Sequence, residues 1–338
     1  MATGHATESD ESDMNEVELK DDQDTPPETL HPEKITSEIE KLNKLGNDLC
    51  QLRQRPLLLL YYSHTNCGEI TETDITYLEE ILKPIDAGIQ ELDVLIQTRG
   101  GEVSSSYFIA QLIRSKCKKM YTIIPTFSYS GGTGISLASD HIELHTTSKI
   151  SPIDVQLTSI DEKNMFPLLN LDGFIDFVHE TTKIFQLKDE QNRSEIIARL
   201  MIEFCKNVHP FQLGQLFRLR ELHAVYAREL LLNYMFRNDS HKESRTKYVI
   251  DKLTSGSPAH EFNIDIALAR KYGLVVKEME QNVYLIGKKI INLCEEMENT
   301  GIIADFYDGS HTKRSPYFQL FIHIPSNKSI GGKYGRER

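Results

Sequence analysis

The sequence contains no tryptophan and only five cysteines, and no two of these cysteines form a C-x-x-C pair. An odd number of scattered thiols in a chain of 338 residues indicates reduced cysteines and no disulfide framework. The ligand spacing of zinc sites is missing too, so we expect no metal. No run of about 18 apolar residues occurs, and the N-terminus lacks a secretory signal pattern. These absences predict a cytoplasmic protein without a membrane span.

A basic excess is also lacking. The formal net charge is −12, and residues 1–34 hold eleven acidic side chains against two lysines. The remainder is close to neutral, without the positive excess typical of nucleic-acid binding, so we expect no nucleic-acid partner. Residues 1–34 are polar and poor in aromatic side chains, which predicts a disordered acidic segment. We also expect no cofactor, because no G-x-G-x-x-G follows a strand.

What the sequence does contain is an alternation of strand and helix patterns. Strands are predicted at 56–62, 92–98, 121–125 and 141–145, with helices between them, which indicates an α/β fold with a mostly parallel sheet flanked by helices. From about residue 166 the pattern becomes helical. We therefore divide the chain into the acidic segment 1–34, an α/β core at 35–160, a helical region at 161–300 that completes the core and makes oligomer contacts, and a C-terminal strand with a loose tail at 301–338.

Two glycine-containing loops carry the candidate chemistry. TRGG ends in Gly100 and Gly101 directly after a strand, and YSGGT presents Ser130 and Gly131 between a strand and a helix. Acyl transfer needs a nucleophilic hydroxyl and N–H donors aimed at the developing oxyanion. The pattern therefore predicts Ser130 as nucleophile, the amides of Gly101 and Gly131 as an oxyanion hole, and Gly100 as a substrate-binding residue. The plainer alternative is that Ser130 only caps the following helix.

Four segments, LDVLIQTRGGEVSSSYFIAQLIRS, SYSGGTGISLASDHIEL, SPIDVQL and LTSGSPAHEFNIDIALARKYGLVV, resemble the serine dehydrogenase proteinase family of the Clp-protease/crotonase superfamily. The resemblance covers about residues 56–276. It implies a Clp-protease/crotonase-like fold, a serine endopeptidase acting on polypeptides, and a homo-oligomer. Arg99 replaces the small residue or proline common before the diglycine, and could bind a substrate carboxylate. Gly131 replaces an alanine of the family pattern, and Ser151 a glycine.

The proton acceptor for Ser130 stays open among three residues. Asp154 lies nearest to where the Clp subunit has its histidine, and a lone carboxylate suits orienting a base better than acting as one. Lys183 lies 53 residues after Ser130, close to the Ser–Lys spacing of signal peptide peptidase A, and needs a burial-lowered pKa. His260 matches a histidine of the family and has a suitable ordinary pKa.

Three functional hypotheses follow from the same residues. The first is a serine peptidase of the serine dehydrogenase proteinase type. The second is an inactive Clp-like scaffold or interaction protein that keeps the serine turn and lacks a base. The third is a crotonase-like acyl-CoA enzyme, which uses paired N–H donors without a nucleophilic serine.

Overall fold

The computed structural model describes the chain in separate ranges, and the predicted acidic segment up to residue 31 and the predicted tail from residue 324 lie outside them. The described residues are 32–63, 68–83, 88–153, 156–158, 165–167, 173, 176–177, 180, 190–207, 210–254, 262–300 and 318–323. The first helix begins at residue 32, so residues 32–34 of the predicted acidic segment are helical.

Ten strands occur among the described residues: β1 Leu57–Tyr62, β2 Ile89–Gln97, β3 Cys117–Ile124, β4 Phe127–Ser128, β5 His141–Leu144, β6 Lys149–Ile150, β7 Gln156–Thr158, β8 Met165–Pro167, β9 Val276–Glu278 and β10 Phe318–His323. Six of them form one sheet in the order β10-β1-β2-β3-β5-β9. Each neighbouring pair in this sheet is parallel. The prediction of a mostly parallel sheet is confirmed.

Nine helices flank or extend this sheet in the described part of the chain: α1 Pro32–Arg53, α2 Glu72–Leu82, α3 Val103–Lys116, α4 Gly131–Ser136, α5 Glu190–Asn207, α6 Pro210–Leu230, α7 Lys242–Thr254, α8 Ile266–Lys271 and α9 Gln281–Asn299. A π-helical turn, Leu231–Met235, continues α6. The helical C-terminal region expected from the sequence is thereby confirmed.

Strand β1 explains why the sheet is buried on both faces. Its side chains alternate between two cores: Leu58, Leu60 and Tyr62 pack with α2, α3 and α7, whereas Leu57, Leu59 and Tyr61 pack with α1 and α9. A parallel sheet covered on both sides needs such a continuous apolar run. The layers are therefore helix, sheet, helix, and the carboxyl ends of the strands form one edge on which loops can gather.

The end of α1 is fixed to the sheet by a buried ion cluster. Arg53 Nε donates to Asp93 Oδ2 on β2 at 2.8 Å, and Arg53 Nη2 donates to Glu143 Oε1 on β5 at 2.6 Å. The His141 ring lies 3.1 Å from the same Glu143 oxygen. Burial opposes ionisation of Glu143, but the hydrogen bonds from His141 and Arg53 lower its pKa overall. This cluster joins α1 to two strands at once.

Candidate active site

The TRGG and YSGGT loops lie side by side beyond the ends of β2 and β4. Thr98 and Ser128 form a parallel bridge, and the amide of Tyr129 donates to the carbonyl of Thr98 at 2.9 Å. The Thr98 side chain turns back and accepts the amide of Gly100 at 2.9 Å. Because both loops follow parallel strands, they emerge at the same edge of the sheet.

Ser130 lies at a strained strand-to-helix turn. Its φ of 45° and ψ of −110° belong to a region that a residue with a Cβ adopts at a cost of about 1–3 kcal/mol. Three hydrogen bonds hold the turn. The Ser130 amide donates to Ser151 Oγ at 2.8 Å, while the Gly132 amide donates to the Tyr129 carbonyl at 2.8 Å and the Gly134 amide to the Ser130 carbonyl at 3.0 Å.

Ser151 is itself held in place from the far side of α4. Thr133 Oγ1 lies 3.0 Å from both the Ser128 carbonyl and the Ser151 carbonyl, and the Ser151 amide reaches the same hydroxyl at 3.3 Å. Thr133, Ser128 and Ser151 are all buried. The Ser130 turn is therefore braced against the segment that starts at Ser151, which sequence reasoning had noted only as a departure from the family pattern.

The Ser130 hydroxyl is not engaged in capping. Ser130 precedes α4 in the N-cap position, yet its side chain makes no capping hydrogen bond. Among the described residues no group is hydrogen-bonded to Ser130 Oγ, and the residue is half-buried. The plainer alternative, that Ser130 only caps the helix, therefore does not describe this side chain.

The three glycines of the site pack closely around Ser130. A Cβ on Gly100, whose φ is +111°, would lie 2.8 Å from Ser130 Cβ and 3.0 Å from the Gly131 amide nitrogen. A Cβ on Gly131 would lie 3.4 Å from the Gly101 amide nitrogen. Neither the Gly101 nor the Gly131 amide has a hydrogen-bond acceptor among the described residues. Two unpaired N–H donors thus lie close together beside Ser130.

Gly131 is also required by its neighbour on α3. A Cβ at Gly131 would stand 2.4 Å from Ser106 Oγ, and that hydroxyl is fixed because it donates to the Glu102 carbonyl at 2.8 Å. Where the family pattern has alanine, this chain fills the space from α3 with Ser106. The replacement of alanine by Gly131 therefore has a steric reason that sequence reasoning did not find.

A small pocket, about 30 Å³ in volume, opens beside Ser130. Residues of α3, α4, α6 and the segment after β6 line it: Val103, Ser106, Tyr107, Ser130, Gly131, Gly134, Ile153, His223, Tyr226, Ala227 and Leu230. The Tyr107 and Tyr226 rings stack with centroids 4.2 Å apart. Its wall is largely apolar, with Ser130 and the two unpaired amides at one side.

His223, on α6, is a polar residue of this wall that sequence reasoning missed. Its side chain is buried, and Nδ1 lies 2.8 Å from the carbonyl oxygen of Ile153. Burial, which is only partly offset by this hydrogen bond, lowers the pKa of His223 to about 4. Its Nε2 is buried and has no hydrogen-bond partner among the described residues. Nothing in the local sequence marks this histidine, because only the packing of α6 against the serine turn brings it to the pocket.

The other predicted site residues divide into one described residue and three that are not. Arg99 is exposed, and its charge lies close enough to Tyr129 to counteract the rise that burial causes in the Tyr129 pKa. Asp154, Lys183 and His260 lie outside the described residues, so their roles stay predictions.

The described residues that flank His260 are nevertheless held near the serine turn. Tyr129 donates its hydroxyl proton to Asn263 Oδ1 at 3.0 Å, and Ile264 forms an antiparallel bridge with Ile150. On the other side of the gap, the Ile153 amide donates to the Leu253 carbonyl at 2.9 Å. Both ends of the segment that contains His260 therefore contact the residues that build the site.

The described residues form neither a metal-binding cluster nor a membrane-spanning helix. Among them, no group of three or more histidine, cysteine, aspartate or glutamate side chains could hold a metal ion. None of the described helices combines the length and the apolar character needed to cross a bilayer.

One protein family matches the part of the chain that carries the two glycine loops. Residues 71–186 match the model of the family described as ClpP-like SDH-type serine proteinase. The resemblance to the serine dehydrogenase proteinase family is confirmed. The match includes both glycine loops, α3, Ser130 and Ser151, and the family is by its description one of serine proteinases.

Two curated relatives are uncharacterized proteins of Methanocaldococcus jannaschii. One is 26% identical over 211 residues, which cover 62% of each chain. The other is 24% identical over 200 residues, which cover 59% of this chain and 56% of that protein. The chain thus spans about three fifths of the length of the curated relatives that it matches.

Among solved structures, a mutant of the 1510-N membrane-bound stomatin-specific protease with a substrate peptide is 12% identical, covers 81% of this chain and 94% of its own, and gives a TM-score of 0.38. ClpP1 from Listeria monocytogenes is 14% identical, with 72% and 98% coverage and a TM-score of 0.36. The ClpP catalytic domain from Plasmodium falciparum is 12% identical, with 75% and 94% coverage and a TM-score of 0.37. The resemblance to the family therefore comes from the match of residues 71–186 and not from these low-scoring structures.

Proposed function

We propose that this protein is a serine endopeptidase in which Ser130 attacks the peptide carbonyl and the amides of Gly101 and Gly131 stabilise the oxyanion. The observation that carries the proposal is the Ser130 hydroxyl, which is unengaged at a strained turn beside two unpaired amides. Preorganised N–H donors of this kind lower the barrier to acyl transfer because they meet negative charge only as it develops.

The substrate-binding part of the proposal uses the TRGG loop. Gly100 has no side chain to block a polypeptide that lies against Ser130, and a Cβ there would collide with Ser130 Cβ at 2.8 Å. Arg99 is exposed next to Gly100, where its guanidinium can bind a substrate carboxylate. Ile153 and α6 line the small apolar pocket beside the serine.

The proton acceptor predicted from sequence is Lys183 or His260, with Asp154 as its orienting group. His260 gains support from the contacts that hold Asn263 and Ile264 at the site. Asp154 directly follows Ile153, which lines the pocket. The proposal also includes a polypeptide substrate, a location in the cytoplasm and a homo-oligomeric assembly. Sedimentation velocity tests the assembly directly.

Labelling with a fluorophosphonate, followed by intact mass and peptide mapping, tests the nucleophile. The peptidase predicts one adduct on Ser130, which Ser130→Ala abolishes. Ser115→Ala, an exposed serine at the end of α3, is the matched control and keeps the adduct. If the wild-type protein is not labelled, the peptidase proposal is wrong and the inactive scaffold is favoured. Turnover of a thioester by Ser130→Ala would favour the crotonase-like alternative.

A further inference from the structure

The geometry points to His223 as the proton acceptor that activates Ser130. This inference rests on the proposed peptidase function and supplies the group that its site needs, a role that sequence reasoning gave to Lys183 or His260. His223 and Ser130 lie on different elements, α6 and the turn before α4, and both line the same pocket. Four features of the described residues carry the inference.

The first feature is the tautomer of His223. A carbonyl oxygen can only accept a hydrogen bond, so the 2.8 Å contact with Ile153 requires the proton to be on Nδ1. In the neutral ring, Nε2 is then the atom with a free lone pair. Serine hydrolases use the same arrangement, with one imidazole nitrogen held by a hydrogen bond and the other available to the serine proton.

The second feature is the state of Nε2. Within the described part of the chain it is buried without a hydrogen-bond partner, and the residue as a whole is only 5% exposed. A buried polar atom without a partner costs about 1–3 kcal/mol, and such atoms are rare in folded proteins. A hydroxyl proton in the pocket would satisfy this atom. The Ser106 and Tyr107 hydroxyls are hydrogen-bonded elsewhere, whereas Ser130 Oγ and the Tyr226 hydroxyl have no hydrogen-bond partner among the described residues.

The third feature is the lack of a competing base in the described lining of the pocket. From α3 the pocket receives Ser106 and Tyr107, and from α6 it receives Tyr226 together with His223. The serine turn and α4 contribute no acidic or basic side chain to this lining. Hydroxyl groups are weak proton acceptors, whereas a neutral imidazole has a free ring nitrogen, so His223 is the described lining residue suited to accept the serine proton.

The fourth feature is the position of the holding group. Ile153 lies two residues after Ser151, and Ser151 Oγ accepts the Ser130 amide. One short segment therefore fixes the backbone of the nucleophile and the ring of the histidine together. A base and a nucleophile that are positioned by the same three residues keep their mutual geometry, which proton transfer requires.

The proposed acyl transfer accounts for every bond and every proton. Ser130 Oγ bonds to the peptide carbonyl carbon, the carbonyl π pair moves to oxygen, and the Oγ proton passes to His223 Nε2. As the tetrahedral intermediate collapses, the C–N bond breaks and Nε2 returns the proton to the leaving amine. Water then attacks the Ser130 ester, giving one proton to Nε2, which passes it back to Oγ as the acid leaves. The imidazolium that forms is paired with the oxyanion beside Gly131, which offsets the burial that keeps the free ring neutral.

His223→Asn is the decisive variant, since the asparagine amide can still donate to the Ile153 carbonyl while no proton acceptor replaces Nε2. We expect it to remain folded by circular dichroism and urea midpoint, and to slow fluorophosphonate labelling of Ser130 at pH 7 by roughly 100-fold or more. His241→Asn, at an exposed histidine before α7, is the matched control and keeps the wild-type rate. In His223→Ala, added imidazole should restore labelling in a saturable way.

The pH dependence of labelling separates the candidate bases in the wild-type protein. With His223 as base, the rate should fall only as the pH approaches about 4, the pKa of the free enzyme's ring. An acidic limb near the ordinary histidine value of about 6.5 would indicate His260, and one at higher pH would indicate Lys183. Either of these outcomes overturns the inference.

The failures can be told apart. If Ser130 is labelled and His223→Asn reacts at the wild-type rate, the inference is wrong and the peptidase proposal stands. If Lys183→Ala or His260→Ala abolishes labelling and His223→Asn does not, the base predicted from sequence is correct. If the wild-type protein is not labelled at all, the peptidase proposal fails and the role of His223 fails with it.

Discussion

The ion cluster at the end of α1 allows a quantitative test of how the sheet holds its outer helix. Arg53 is 11% exposed and pairs with Asp93, which is 1% exposed, and with Glu143, which is 6% exposed. Arg53→Met keeps most of the apolar stem and removes the charge, which leaves Asp93 with Arg55 Nη1 at 3.5 Å and Glu143 with His141 Nε2 at 3.1 Å. Removing one partner of a buried pair costs about 3–5 kcal/mol, because the remaining charges lose compensation that water cannot replace.

Urea unfolding at pH 7, followed by circular dichroism, measures this loss in the full-length protein. Arg199→Met is the matched control, since Arg199 and Glu195 form an exposed pair at 77% and 60% exposure, worth less than about 0.5 kcal/mol. Adding Asp93→Asn and Glu143→Gln to Arg53→Met should recover most of the loss, because the buried charges disappear with their partner. A loss below roughly 1 kcal/mol for Arg53→Met would refute the argument.

Three further predictions concern the site. Gly131→Ala should slow labelling of Ser130, because its Cβ would stand 2.4 Å from Ser106 Oγ and this hydroxyl would have to move, and Gly131→Ala with Ser106→Ala should regain the rate; equal labelling of both variants would contradict this. Ser151→Ala removes the acceptor of the Ser130 amide and should lower the unfolding free energy by about 1–3 kcal/mol in urea; an unchanged midpoint would show that the turn is held without it. The fold lowers the His223 pKa from 6.5 to about 4, so as the pH falls the unfolded chain binds a proton before the folded chain does. The free energy of unfolding of the wild-type protein should therefore fall between about pH 6.5 and about pH 4, by roughly 3 kcal/mol more than in His223→Asn. Parallel pH profiles would exclude the burial effect.

The sheet could be predicted because its strands carry their information locally. The run Leu57–Tyr62 must be a buried strand, since its consecutive apolar side chains fill both cores. The two glycine loops were predictable for the same reason, as each follows a strand directly. Helix α1 was not predicted, although Leu42 and Leu49 occupy one buried core, because its polar remainder resembles the acidic segment before it.

The role proposed for His223 could not be predicted from sequence, since it depends on contacts between distant elements. His223 lies in a helix with no distinguishing neighbours, and the Ile153 carbonyl that fixes its tautomer comes from another part of the chain. Ser106 illustrates the same limit, because its hydroxyl explains Gly131 only after α3 and α4 are packed. Motif spacing identifies groups that share a loop, whereas proton transfer depends on groups that share a pocket.

Ser151, Pro152 and Ile153 tie three parts of the fold to one short stretch of backbone. Ser151 Oγ accepts the Ser130 amide at 2.8 Å, and the Ile153 carbonyl accepts a hydrogen bond from His223 Nδ1 at 2.8 Å. This stretch is anchored at its far end through the Ile153 amide to the carbonyl of Leu253, near the end of α7. Any displacement of the stretch would therefore move the Ser130 turn and the His223 ring together.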